Sequence, residues 1–367
     1  MNNLIIVGNG FDLAHDMKTS YPDFIRYIVD EHCRSEKREF CNDLFKLPPF
    51  VNSYDSLLDL YRKGRGISQQ KARANYQNII DKKSIVDLIK HLFEDFYLQN
   101  WCDIEYRYFE LLKNVKGKVE LFTLNKEFSF LKKHLEDYLL TQESIGETID
   151  AYEYLFSTLA LRNSLILNFN YTDTIERLYS QKTKLSKILH IHGELKNELN
   201  PIIFGFAADN EDIKLLVDKE DNEYLRNIKR HEYKRTSNEK ALADYLSNHK
   251  NIRVTILGHS CGISDKLILE QILNHNNIHS VRILYYNNYE SYFNSQINVY
   301  RIINNNDNFE KIVNFQDCCR MPQWNDEKSD YGYMTVFLQK MRKDYDSGLK
   351  KSMIDTVVGS LPASPVL

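Results

Sequence analysis

Four short polar clusters carry the residue types that could do chemistry, and each follows an apolar run. Asn168-Phe-Asn170-Tyr171-Thr172-Asp173 offers two carboxamides and a carboxylate, and His190-Ile-His192-Gly193-Glu194 offers two imidazoles beside a glycine. Gly258-His259-Ser260 carries a hydroxyl with Asp265 five residues on, and Gly8-Asn9-Gly10-Phe11-Asp12 opens the chain behind Leu4-Ile-Ile-Val7. A glycine pair directly after such a run lets the backbone turn sharply and approach a ligand. The amides of a helix that follows would then face an anion. The dinucleotide fingerprint is incomplete, because its third glycine falls on Leu13. Residues two apart on a strand share a face, which pairs Asn168 with Asn170 and His190 with His192. A metal would need a third ligand, and none stands at a suitable spacing, so no metal is expected.

Each cluster also has a purely structural reading. An Asx-turn with a helix N-cap accounts for Asn170 and Asp173. One histidine can serve as a buried hydrogen-bonder, and Gly258 to Ser260 can be a turn and cap; the serine is not read as the nucleophile elbow of serine hydrolases. A glycine after His192 favours a ligand packed against the backbone there.

Strands are predicted near residues 4–7, 165–169, 187–191, 252–257 and 281–286, with a further one over Pro201–Gly205. Helices between them, near 173–180, 211–249 and 265–274, make an α/β fold: a Rossmann-like parallel sheet with ligands at its C-terminal strand ends. Residues 23–160 read as mostly helical, a large helical insertion capping those ends. Ser20 would cap a helix with Pro22 in its first turn. The stripes Phe93, Phe96, Tyr97, Trp101, Ile104, Tyr108, Leu111 and Phe128, Leu131, Leu135, Tyr138 are core. Lys118 to Leu124 fits either a strand or a helix start, and Lys63 to Lys71 is a glycine-broken loop. The domain division is therefore 1–22 with 160–320 as the Rossmann-like core, 23–160 as the helical cap, and 321–367 as a C-terminal helical extension and tail.

The chain has 367 residues, 48 basic against 51 acidic side chains, and a net charge of -3, so no basic field points to nucleic acid. A nuclease is disfavoured further by the lack of an acidic metal cluster. No run reaches bilayer length and no signal-peptide pattern opens the sequence, so a cytoplasmic protein without a membrane anchor is expected. The six cysteines lack C-x-x-C spacing and read as reduced thiols. Asp103 and Glu105, two apart, would point about 200° apart on a helix and so form no carboxylate pair. Asp103 with Arg107 reads as a surface ion pair, while Glu105 could line a pocket edge.

In this order the segments resemble the AbiH family of bacterial abortive-infection proteins. The resemblance rests on Gly8 to His15, Thr19-Ser20-Tyr21-x-Asp23-Phe24, Trp101-Cys-Asp103-Ile104-Glu105 and Asn168 to Thr172, with His192-Gly193-Glu194-Leu195, Ile203-Phe204-Gly205 and Gly258 to Asp265. It spans residues 1 to about 290. That family is in turn similar to the sirtuin-like, Rossmann-type NAD-binding fold of antiphage NAD hydrolases. The resemblance implies Asn170 and His192 as catalytic residues. It implies Gly8, Asn9, Gly10, Phe11, Asp12, Tyr171, Asp173, Gly193, Gly258, Ser260 and Asp265 as nucleotide contacts. Asp173 stands three residues after Asn170, where the sirtuin pattern has two, and the zinc-binding cysteines of deacylating sirtuins are missing.

The implied activity is hydrolysis of NAD, or NADP, at the nicotinamide–ribose bond during phage infection. The substrate would serve without a separate cofactor, a phage-derived trigger is an expected partner, and a homo-oligomer is the expected assembly. The alternative is a nucleotide-binding sensor or regulatory module that does not turn NAD over. A strand-end amide beside a base favours the enzyme.

Overall fold

The computed structural model describes residues 2–35, 45–47, 50–63, 81–82, 88, 91–92, 103–143, 145–159, 164–181, 183, 187–207, 210–303, 305–327 and 332–339. The strands are β1 (Asn2–Val7), β2 (Phe45–Lys46), β3 (Asp81–Lys82), β4 (Ser164–Asn168), β5 (Lys187–His190), β6 (Ile252–Leu257) and β7 (Ile278–Leu284). The helices through the first half are α1 (Asn9–Ala14), α2 (Tyr21–Arg34), α3 (Tyr54–Lys63), α4 (Ile104–Asn114), α5 (Lys118–Gln142) and α6 (Asp150–Leu159). They continue as α7 (Thr174–Tyr179), α8 (Asn210–Val217), α9 (Lys229–Glu232), α10 (Asn238–Asn248), α11 (Lys266–Leu273), α12 (Tyr289–Ile302) and α13 (Asn306–Phe309).

Five strands form one sheet in the order β5-β4-β1-β6-β7, every pair parallel, so the architecture is Rossmann-like α/β. The apolar runs Leu4 to Val7 of β1 and Leu165 to Leu167 of β4 are buried on both faces, as a parallel sheet covered on both sides requires, while β6 alternates Ile252, Val254 and Ile256 with the buried polar Arg253 and Thr255. Alternation sorts them: Leu4 and Ile6 meet α10, α11 and α12, while Ile5 and Val7 meet α1, α6 and α7. β2 and β3 form a separate two-residue antiparallel ladder.

A third core joins α2 to α5 with residues 195–228, where Phe128 stacks on Phe204 at 4.7 Å and Phe109 on Phe206 at 4.6 Å. α2 begins as its sequence suggests: Ser20 accepts from Asp23 N, Asp23 accepts from Ser20 N, and Pro22 lies in the first turn.

The helical layer is divided differently from the expected 23–160 block. α6 packs under the sheet with Tyr152 and Phe156 against Phe11, and so do Met321, Met334 and Phe337 of the C-terminal part, which includes a helix over residues 332–339. Pro201–Gly205 is not a strand; only Phe206 makes an isolated bridge, to Ile228. Lys118 to Leu124 opens the long helix α5. Phe93, Phe96, Tyr97, Trp101, the loop after Lys63 and the tail beyond residue 339 lie outside the described residues. Among the described residues no helix is long and apolar enough to cross a membrane.

Candidate functional site

From β1 the chain moves to β4 and β5 on one side, then returns to β6 and β7 on the other. The order therefore reverses beside β1, and a crevice must open beyond the carboxyl ends there. A cavity of about 1000 Å³ occupies that place, at the upper end of small-molecule sites. Gly8, Asn9, Gly10, Asp12, Asn170, Tyr171, His192, Gly258, Ser260 and Asp265 all line it, and Asp103, Glu105, Leu135 and Leu139 of the helical layer close it.

The glycines serve a different purpose from the one expected. Gly8 N donates to Leu257 O at 3.1 Å and Gly10 N to Gly258 O at 2.8 Å, so neither amide is left for an anion. A Cβ on Gly10 would lie 2.8 Å from Gly258 Cα, and one on Gly8 2.6 Å from His259 Cα. The β1 and β6 turns are packed backbone to backbone. Asn9 likewise clamps Thr19, accepting its hydroxyl at 2.5 Å and donating to its carbonyl at 3.1 Å.

β4 ends at Asn168 and β5 at His190, so the residues two further on have left the strands and do not share a face with them. Asn168 turns to Thr172 O, while Asn170 donates one amide hydrogen to Gly8 O at 3.2 Å and lies in the cavity wall. His190 pairs with Glu176 at 2.7 Å, away from the cavity. His192 faces it, with Nε2 2.9 Å from Tyr233 Oη and 3.3 Å from Asp265 Oδ1. Burial, with Lys229 adding to it, lowers the His192 pKa to about 3. The ring is therefore neutral, and a weak proton acceptor.

Behind His192 sits a buried charge cluster that the sequence reading did not find. Lys229, 1 % exposed, donates from Nζ to Asp265 Oδ1 at 2.8 Å, Glu105 Oε2 at 3.0 Å and Ser264 O at 3.1 Å. His259 accepts from Cys261 N at Nδ1, which leaves its Nε2 to face Asp265 Oδ2 at 3.3 Å. Burial opposes ionisation of Asp265, but Lys229, then His192 and His259, hold it well below the usual carboxylate range. Burial, reinforced by Asp265 and Asp103, pushes Glu105 up to about 8 despite Lys229. Two carboxylates share one ammonium; Asp265 takes the charge and Glu105 retains the proton.

Asp103 and Glu105 both reach the cavity because Asp103 is not helical. It is the extended N-cap of α4, accepting from Tyr106 N at 3.0 Å, so the angular argument between two helical positions does not apply. Glu105 Oε1 accepts from Gly205 N at 2.9 Å, which ties the Ile203-Phe204-Gly205 segment to the cluster.

Asp12 is a further titratable group in the wall. Its Oδ2 accepts the Thr172 hydroxyl at 2.6 Å, its Oδ1 has no hydrogen-bond partner among the described residues, and burial raises its pKa to about 6.

Three expected contacts do not line the cavity. Phe11 is packed among His15, Tyr152, Phe156 and Tyr179. Asp173, 55 % exposed at its side chain, lies 3.8 Å from Arg177. Gly193, with φ of +82°, faces Pro201 O so closely that a Cβ would come within 2.2 Å. Although Gly258, Ser260 and Gly262 have the spacing of a nucleophile elbow, both nitrogens of the neighbouring His259 are turned elsewhere. No motif marks Lys229 or Tyr233; only their position in the folded chain does.

A family model described as bacteriophage abortive infection AbiH matches residues 4–287. No curated protein matches the chain.

Proposed function

Because the chain belongs to the AbiH family of bacteriophage abortive infection, we propose that it acts in phage defence by hydrolysing NAD at the nicotinamide–ribose bond. The observation that supports this reading is the meeting of Asn170, His192 and Asp12 in one large cavity at the switch point of the sheet.

The charge of that wall suits the reaction. Among the described residues Asp12, Asp16, Asp23, Asp103 and Asp265 line the cavity with Lys18, while Glu105 keeps its proton there and Lys229 behind the wall offsets the charge of Asp265. Nicotinamide carries a positive ring nitrogen in NAD, and cleavage builds positive charge on the ribose carbon. Fixed carboxylates stabilise both, most strongly where water is excluded. As the C1′–N bond breaks, its electron pair moves to the ring nitrogen and nicotinamide leaves neutral. Water oxygen bonds to C1′ and its proton passes to Asp12, giving ADP-ribose. Asp12 suits this role better than His192, because a base works best with a pKa near the working pH. Asn170 has amide capacity left to orient the water, and neutral His192 hydrogen-bonds a ribose hydroxyl. A pyrophosphate cradle at Gly8 and Gly10 is not part of this reading, since both amides are engaged.

The test is to incubate the purified protein with NAD and with NADP, with and without phage-infected lysate, and to follow nicotinamide and ADP-ribose. Release that is lost in Asp12→Asn and Asn170→Ala supports hydrolysis. Saturable NAD binding without release in either condition replaces it with a regulatory nucleotide-binding module.

A further inference from the structure

β5 and β7 are the two edges of the sheet, four strand intervals apart, and the cavity receives residues from beyond both. At ~4.8 Å per interval the two edge strands lie about 19 Å apart, so the crevice beyond their ends is long enough for an elongated ligand. His192 follows β5 but reaches inward to within 3.3 Å of Asp265 beyond β6, whereas Tyr285 and Tyr286 follow the edge strand β7.

The β7 end has a wall of its own. Residues 319–326 run alongside it: Tyr285 N donates to Cys319 O at 3.2 Å and Met321 N to Tyr285 O at 2.7 Å. Asp326 accepts from Arg320 at 2.6 Å and from Gln323 N at 2.8 Å, and Trp324 N donates to Ala14 O at 2.8 Å. The backbone at Trp324 is thus held while the residue is 55 % exposed; Tyr286 is 65 % exposed, and both line the cavity. Large aromatic faces held open at a cavity rim on a braced backbone are stacking platforms. Trp324 lies beyond residue 287, where the family match ends.

Resting on the NAD reading, we propose that Trp324, with Tyr286, stacks the adenine base, so that the dinucleotide lies across the strand ends with its reacting ribose at Asp12, Asn170 and His192. Trp324 is then a specificity-determining residue that selects purine-bearing dinucleotides over nicotinamide mononucleotide.

The chain has two tryptophans, Trp101 and Trp324, so a Trp101→Phe background isolates the signal. In that background AMP and ADP-ribose should quench Trp324 fluorescence saturably, and nicotinamide mononucleotide should not. Trp324→Ala should weaken AMP and ADP-ribose binding about 10-fold or more, and Trp324→Phe should restore most of it. In turnover, Trp324→Ala should raise KM for NAD by a similar factor with kcat nearly unchanged. Equal quenching by all three probes, or unaltered ADP-ribose affinity in a folded Trp324→Ala variant, overturns the proposal. The two readings fail separately. AMP binding at Trp324 without NAD cleavage removes only the hydrolase, and NAD cleavage with an unchanged KM in Trp324→Ala removes only the stacking site.

Discussion

Gly10 N donates to Gly258 O at 2.8 Å, a bond that stitches the turn after β1 to the turn after β6. The two glycines are needed for contact between backbones. Gly258 has φ of +70°, and a Cβ there would stand 2.4 Å from Phe11 N. A left-handed alanine costs about 1–2 kcal/mol before that collision is counted. Gly258→Ala should therefore lower stability by more than about 2 kcal/mol in denaturant melts. Gly332→Ala, on a helix with open space around it, should stabilise by up to ~1 kcal/mol. A Gly258→Ala protein as stable as wild type would mean the turns are not packed this way.

Asp12 links stability to pH. Its pKa is raised by burial from 3.8 to about 6, so the folded chain holds the proton more tightly than the unfolded one. A group with a raised folded pKa contributes stability that is complete below the unfolded value and lost as pH rises through the folded value. Between about pH 4 and pH 6 that loss amounts to about 3 kcal/mol at most. Asp12→Asn keeps an oxygen for Thr172 and removes the titration. It should be more stable than wild type at pH 8 and similar at pH 4, while nicotinamide release disappears. Parallel melting curves across pH 4 to 8 would refute this.

The parallel sheet was legible in the sequence because Leu4 to Val7 is apolar on both faces, Ile252, Val254 and Ile256 make one apolar face, and both runs end in glycine. The candidate site was legible where the strand ends are polar, at Asn170 and His192. Strand limits were less so: β5 stops at His190, and the two histidines separate because one turns to Glu176 and the other into the cavity. Lys229 could not be read at all. It lies in a charged helical region whose lysines otherwise look like solvated surface, and its burial depends on Glu105, 124 residues away. The role of Gly8 and Gly10 was misread for a related reason. A glycine approached by a ligand and one approached by another backbone have the same sequence.

Lys229 holds α4 to the strand-end loops through Glu105 and Asp265. Removing the ammonium leaves the buried Asp265 carboxylate without its cation and Glu105 without its donor, a change that costs ~3–5 kcal/mol in comparable pairs. Lys229→Met should cost that much, and Lys229→Met with Glu105→Gln less, because the second change removes one of the stranded groups. A double-mutant cycle measures the coupling. The positive charge of Lys229 also helps to lower the His192 pKa, so histidine NMR should show that pKa rising from about 3 in the Lys229→Met protein. Additive stability effects with an unmoved His192 would show that the three groups do not interact.

His190 and His192, two residues apart, should answer to different assays. Burial lowers the His190 pKa, but its hydrogen bond to Glu176 and the charge of that carboxylate outweigh burial and raise it. A histidine with a raised folded pKa contributes stability that is complete below its unfolded value of ~6.5 and fades as pH rises through the folded value. His190→Ala should therefore lose more stability at pH 5.5 than at pH 9, and Glu176→Gln should show the same trend. Its nicotinamide release at neutral pH should stay near wild type, because the side chain does not reach the cavity. His192→Ala should show the opposite trend: with a folded pKa of about 3 the ring costs stability as pH falls below its unfolded value of ~6.5, so the stability lost in the variant should be larger at pH 8 than at pH 5. Its nicotinamide release should fall on the order of 10²-fold through loss of ribose positioning. If His190→Ala abolished release in a folded protein and His192→Ala did not, the catalytic end of the cavity would have to be moved to the β5 strand itself.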